Sequence, residues 1–289
     1  SSPALAPDGE TFAYVKEIDG QKDVFLQRVG GSKPANLTAD CAEDDDEPAF
    51  SPDGKRIAYR SECRGRGIFV MGAMGESPRK VTDGGHDPSW SPDGLEVAIA
   101  DEKVVSPFGR GATSRLWAVR VETGERRLLS GRDAIQASWS PDGRRVAFWG
   151  LGEENAARDL FTVAADGSQS VESAAVRVLD DPPVDWSPIW SADGRSLLFA
   201  STRGGTMNLW RIAVDPATGR PNGTPKSMTV PSSWVGFLSA SADGRRVAYL
   251  DRNVRNTVHR AAFDPVLGSV AGPSRNVPLG TIEPYETVA

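Results

Sequence analysis

Carboxylates, a histidine and two tryptophans recur in short polar stretches along this chain of 289 residues. The stretches are Asp44-Asp45-Asp46-Glu47, Gly85-His86-Asp87, Ile135-Gln136, Val184-Asp185-Trp186-Ser187 and Trp234-Val235-Gly236. Asp and Glu could hold a cationic group or a metal ion, and an indole face could take a cation or an apolar group. Signals for catalysis are thinner. Only His86 and His259 offer an imidazole base, and no Gly-x-Ser-x-Gly elbow, glycine-rich phosphate loop or metal-spaced Cys/His set occurs. His259 lies in an alternating strand pattern and reads as structural. No catalytic residue and no metal ligand set is therefore assigned.

The composition narrows the partners. A formal net charge of -6 argues against nucleic acid, whose phosphates need clustered Lys and Arg. The longest apolar runs are a few residues, against the ~20 needed to cross a bilayer, so this segment is expected not to insert in a membrane. Ser1-Ser2-Pro3 carries no basic or apolar leader, so a targeting segment is expected to be cleaved or to lie upstream. The 30 glycines and 21 prolines suit a chain full of turns.

The elements that must position these groups are announced by a repeat. The tetrapeptides are Ala6-Pro7-Asp8-Gly9, Ser51-Pro52-Asp53-Gly54, Ser91-Pro92-Asp93-Gly94, Ser140-Pro141-Asp142-Gly143, Ser191-Ala192-Asp193-Gly194 and Ser241-Ala242-Asp243-Gly244, with aspartates 45, 40, 49, 51 and 50 residues apart. Each reads as a hairpin turn: Pro presets φ, Asp tolerates the next position, Gly supplies the left-handed residue, and Ser can bond the turn's N–H groups. Alternating segments flank it, such as Pro88-Ser89-Trp90 before and Val97-Ala98-Ile99 after. A third strand (Leu116-Trp117-Ala118, Leu209-Trp210-Arg211) and a short polar fourth (Arg79-Lys80-Val81-Thr82) complete the unit.

Four antiparallel strands every ~40–50 residues mark an all-β, six-bladed β-propeller of four-stranded antiparallel blades. The expected single domain has blades at 1–40, 41–83, 84–131, 132–181, 182–231 and 232–281. Residues 282–289 are either a closing strand or the start of a truncated repeat. A small column (Ala13, Ala58, Ala98, Ala147, Ala248) lets sheets approach while aromatic residues fill the widening wedge.

Pro88-Ser89-Trp90-Ser91-Pro92-Asp93-Gly94 and Ser51-Pro52-Asp53-Gly54-Lys55-Arg56-Ile57-Ala58-Tyr59 resemble the WD-like repeats of the TolB-type six-bladed propeller family over the whole chain. The stretches 67–76 and 201–210 look like the propeller modules attached to bacterial membrane serine/threonine kinases, which implies a sensor or interaction domain. Propellers of this kind also precede the catalytic domain of prolyl-oligopeptidase-like peptidases, but the chain leaves no room for such a domain. The pattern fades in the last blade, where Leu238-Ser239-Ala240 replaces Pro-x-Trp.

In a propeller the innermost strand of each blade crosses from face to face, so the linkers entering it converge at one mouth of the central channel. The candidate ligand-binding residues are therefore Asp46, Glu47, His86, Asp87, Gln136, Asp185, Trp186 and Trp234. They would form a pocket for a small ligand, a peptide or a protein segment, with no cofactor beyond a channel-bound cation. The plainer reading is a solvated acidic rim with the tryptophans packed between blades. The loop from Glu102 to Ser114, with Pro107-Phe108-Gly109, either covers the mouth or is a surface insertion. Cys41 and Cys63 should meet at one end of blade two, as a disulfide in an extracytoplasmic protein or as free thiols in the cytoplasm. The functional expectation is a non-catalytic sensor or binding domain. The alternatives are a propeller hydrolase or lyase using mouth carboxylates and His86, and a periplasmic docking scaffold.

Overall fold

The computed structural model describes residues 3–103, 106–109, 113–152, 158–168, 175–228 and 234–252, and the backbone of 258–264 and 269–277. The expected closing segment 282–289 and the His259 side chain lie outside the described residues. Hairpin turns at each tetrapeptide generate consecutive antiparallel strands, which assemble into five complete four-stranded sheets. The first holds β1 (Ala4–Leu5), β2 (Thr11–Ile18), β3 (Gln21–Arg28) and β4 (Ala35–Asn36), and the second β5 (Asp45–Phe50), β6 (Arg56–Ser61), β7 (Gly67–Gly72) and β8 (Arg79–Thr82). The third holds β9 (His86–Trp90), β10 (Glu96–Ala100), β11 (Leu116–Arg120) and β12 (Arg126–Ser130). The fourth holds β13 (Ile135–Trp139), β14 (Arg145–Leu151), β15 (Arg158–Ala164) and β16 (Val176–Arg177), and the fifth β17 (Asp185–Trp190), β18 (Ser196–Ser201), β19 (Asn208–Ala213) and β20 (Lys226–Ser227).

The tetrapeptides behave as turn chemistry requires. Their glycines all sit near φ +70°, as at Gly54 (70°) and Gly194 (67°). The turn N–H goes to Asp rather than Ser: the Lys55 N–H donates to Asp53 Oδ1 (3.1 Å). Ser51 Oγ instead donates to Asp53 (2.6 Å) and accepts from the Arg56 N–H (2.9 Å), locking the first rung of the hairpin. The same pattern recurs at Ser91, Ser140, Ser191 and Ser241.

A four-stranded sheet has two apolar faces, and each is buried against the next blade. Ala13, Ala58, Ala98 and Ala147 are fully buried, as are Ile57, Val97, Val146 and Leu197 on the opposite face. The resulting core clusters each draw residues from neighbouring blades, such as Phe148 and Phe161 with Leu116 and Leu129. The Pro-x-Trp motif has a second role. The indole N–H of Trp90, Trp139 and Trp190 donates to a backbone carbonyl of the preceding blade's inner strand (Ala49, Ser89 and Ser138, at 3.0, 3.1 and 3.1 Å).

The expected sixth four-stranded blade is corrected. β21 (Val235–Ala240) pairs only with β22 (Val247–Asp251), and β23 (Val258–Asp264) pairs with β24 (Ser269–Val277) as a separate ladder. Ala240 stands where Trp latches blades three, four and five, and β22 is poorly buried, with Tyr249 41% exposed. The circle still closes through β21, which packs against both β17 and β1. Ser239 Oγ accepts from the Leu5 N–H (2.9 Å), the Ala242 N–H donates to the Pro7 carbonyl (2.9 Å), and Arg246 pairs with Glu10 (2.6 Å).

Cys41, in the linker entering β5, is joined by a disulfide to Cys63, in the turn after β6; their Cα atoms are 6.3 Å apart and 22 residues separate them. Closing a loop of that length stabilises a fold by roughly 3 kcal/mol. A Cys41→Ser, Cys63→Ser double variant should lose about that much, read as a lowered urea midpoint. Reductant should lower the wild-type midpoint equally; a wild-type midpoint insensitive to reductant would remove the bridge from the account.

Candidate functional site

One backbone feature organises the channel mouth. Glu47, Asp87, Gln136, Ser187 and Phe237 all have left-handed φ, between 49° and 56°. Each lies six residues before the Asp of its tetrapeptide, and in each inner strand the ladder to the neighbouring strand slips at this point. These are β-bulges, which re-aim a side chain at a local cost in strain. A bulge breaks ladder hydrogen bonds, so the following N–H needs another partner or must be absent. Pro48, Pro88 and Pro188 follow three of the five and carry no N–H. Leu238 follows the fifth, and its N–H donates to Ser187 Oγ of the preceding blade (3.0 Å).

The five bulge residues line a central cavity of about 440 Å³. Pro7, Pro52, Pro92, Pro141, Ala192 and Ala242, the second residue of every tetrapeptide, line the same cavity where the inner strands end. Blades are cross-linked at the bulges. Glu47 Oε2 accepts from the Asp87 N–H (2.7 Å), while its Oε1 lies 3.4 Å from His86 Nδ1 and 3.8 Å from Lys103 Nζ. Within blade four, Gln136 Oε1 accepts from the Trp149 indole N–H (2.6 Å).

Of the residues expected at the mouth, Glu47, Asp87 and Gln136 line the cavity. His86 does not, but it touches Glu47 from behind. Asp46 turns aside to Lys103 (2.6 Å). Burial works to raise its pKa, yet the hydrogen bond and charge of Lys103 prevail and hold it below the usual carboxylate value. Asp185, Trp186 and Trp234 are corrected: they precede the bulge and do not line the cavity, the two tryptophans packing between blades and Asp185 turning to Arg203 of its own blade. Trp186 is fully buried, edge-on to Trp149 (6.2 Å) and Trp234 (4.9 Å). Trp234 is 7% exposed, with the Arg252 guanidinium 5.0 Å from its ring. Asp185 is wholly buried and pairs with Arg203 (2.8 Å). Burial pushes its pKa up to about 7 against the pull of Arg203. Asp45, at the same position in blade two, is raised by burial to about 6 despite the hydroxyls of Ser61 and Thr38.

Ser187, Phe237 and Lys103 were not among the expected residues. The first two were findable from their constant distance to the turn Asp; Lys103 was not, because it reaches Asp46 from a loop of the next blade. That loop does not line the cavity at Phe108, which packs on the core cluster around Trp149 while the Arg158 side chain donates to the Pro107 carbonyl (2.6 Å). Among the described residues, no three His, Cys, Asp or Glu side chains are grouped as a metal site would need, and no helix is long and apolar enough to cross a membrane.

Antiparallel four-stranded blades around a central cavity define an all-β propeller. The chain belongs to the TolB beta propeller domain family, whose matches cover residues 1–171 and 87–266. It is similar to the Tol-Pal system protein TolB of Anaeromyxobacter dehalogenans, 35% identical over 36% of this chain and 21% of that protein. Among solved structures it resembles TolB from Acinetobacter baumannii (TM-score 0.58, 19% identity, 78% of this chain and 55% of that one). It also resembles an oligogalacturonate lyase in complex with manganese (TM-score 0.62, 18% identity, 93% and 75%). The chain spans about half or less of the length of curated relatives it matches, 48% of one and 21% of another.

Proposed function

We propose that this chain is a non-catalytic binding propeller that takes a peptide, a protein segment or a small ligand into its central channel at the bulge residues. The observation that carries this reading is the repetition of a strained, non-glycine, left-handed residue at one position in five successive inner strands. Such strain persists where surrounding structure enforces it, and it gathers at binding sites. The chemistry around the mouth is graded. Glu47 and Asp87 give an anionic arc on blades two and three, Gln136 and Ser187 are neutral and polar, and Phe237 is aromatic. An extended segment with a basic group toward Glu47 and Asp87 and an apolar group toward Phe237 suits that order.

The relatives named as Tol-Pal system proteins favour a binding role. The Cys41–Cys63 bridge favours an extracytoplasmic setting. Within this reading residues 1–289 form a single propeller domain, and it serves as the sensory or interaction part of a bacterial signalling protein such as a serine/threonine kinase. Calorimetric titration with short peptides carrying one Lys or Arg and one aromatic residue tests the site. Asp87→Asn and Phe237→Ala should each weaken binding about tenfold, the value of one desolvated contact. Wild-type affinity in both variants would move the site elsewhere. A lyase or hydrolase reading rests on the His86–Glu47 contact alone. Turnover of oligogalacturonate or a peptide that disappears in His86→Ala would favour it.

A further inference from the structure

A second cavity, of about 290 Å³, lies between blades one and two and shares no lining residue with the central channel. Its walls come from β4 and the linker after it (Leu37, Thr38), from β6 and β7 (Tyr59, Phe69, Met71), and from Asp45 at the start of β5. Asp45 is 1% exposed, and its Oδ1 is buried without a hydrogen-bond partner among the described residues. A carboxylate oxygen taken from water and left unpaired costs the desolvation free energy of that group. The Ser61 and Thr38 hydroxyls offset part of that cost for the carboxyl group, and among the described residues no cation does. The nearby Asp23 already accepts from Gln21 (3.0 Å) and Asn36 (2.7 Å), and both Asp23 and Asp40 repel a second negative charge at Asp45. The opening is at Ala39 and Asp40, which are exposed, and the Cys41–Cys63 bridge ties the wall beside it.

We infer that this cleft is a binding site for a small organic monocation, an alkyl- or arylammonium, with Asp45 as its counter-ion. The unpaired Oδ1 calls for a cationic donor. Leu37 and Met71 line the same space, as do Tyr59 and Phe69, whose rings lie 6.0 Å apart, so the cation must carry apolar surface. Aromatic faces beside a carboxylate suit an ammonium group with its attached carbons. A metal ion is a poorer match, since Asp40 and Asp45 are the only carboxylates lining the cleft. A neutral apolar guest would leave Asp45 as unpaired as before.

The test is calorimetric titration of the oxidised full chain with n-butylammonium, n-butanol and calcium chloride at neutral pH. Saturable binding of butylammonium, none of butanol and none of calcium is the expected result. Asp45→Asn keeps the shape and removes the charge, and should weaken butylammonium by at least about tenfold. Leu37→Trp fills the cleft and leaves the Asp45 carboxyl in place, and should abolish the same binding even if the Asn variant folds poorly. The inference is overturned by absence of saturable butylammonium binding, by equal binding of butanol, by tighter binding of calcium, or by unchanged affinity in the two variants.

Discussion

Trp186→Ala should cost this protein about 3–5 kcal/mol of stability, the range for removing a large aromatic side chain from a packed core. Trp186 is fully buried and sits at the junction of blades four, five and six, in edge contact with Trp149, Trp234 and Phe237. No collapse can refill that volume without moving one of three sheets. Gly236 supplies the internal control. A Cβ on Gly236 would drive into the Trp186 ring, so Gly236→Ala alone should also be strongly destabilising. In the Trp186→Ala background the same change should be nearly neutral, giving a large coupling in a double-mutant cycle. The Trp186 indole N–H has no acceptor among the described residues, so Trp186→Phe should cost much less than Trp186→Ala. Urea unfolding followed by circular dichroism measures all four variants. Additive effects of the Trp186 and Gly236 changes would show that the seam relaxes independently on each side.

The second large effect is on the pH dependence of stability. Asp185 has its carboxyl raised from 3.8 to about 7 by burial, and Asp45 from 3.8 to about 6. A group that holds its proton more tightly when folded stabilises the fold most below its unfolded value, and that contribution disappears as pH rises through the folded value. From these two residues, stability is therefore fully present below about pH 4 and lost progressively up to about pH 7. For Asp185 the loss is on the order of 2–4 kcal/mol, from a shift of about three units. Between pH 5 and pH 8 the melting temperature of the protein should fall by roughly 5–10 °C. Asp185→Asn stays neutral throughout and keeps the two Asp181 hydrogen bonds to Arg203 (2.9 and 3.1 Å), so its profile should be much flatter. A variant profile parallel to that of the unaltered protein would mean that Asp185 is ionised over the whole window.

Both experiments probe positions whose importance the chain displayed only in part. The propeller itself was legible from residue order alone. Ser-Pro-Asp-Gly turns and period-two strands are set by φ preferences and side-chain bonds within a few residues, as Ser51, Asp53 and Gly54 illustrate. The convergence of Glu47, Asp87 and Gln136 on the channel followed from the same repeat. The fate of Trp186, Trp234 and Asp185 did not. They stand one to three residues before the bulge residue of their strand, and whether a side chain there meets the channel or a seam depends on where the ladder slips. The slip is imposed by the neighbouring blades, through contacts such as Glu47 to the Asp87 N–H and Ser187 to the Leu238 N–H.

The last unit makes the same division. Its Ser241-Ala242-Asp243-Gly244 turn forms as its sequence implies, because a turn needs only itself. Completion of its sheet needed partners beyond the turn, and β23 pairs with β24 rather than with β22. Local chemistry thus determined the strands, the turns and the order of the blades. The tertiary structure decided which carboxylates face the channel, which are buried as acids, and where the circle closes, because each depends on atoms supplied by other strands and other blades.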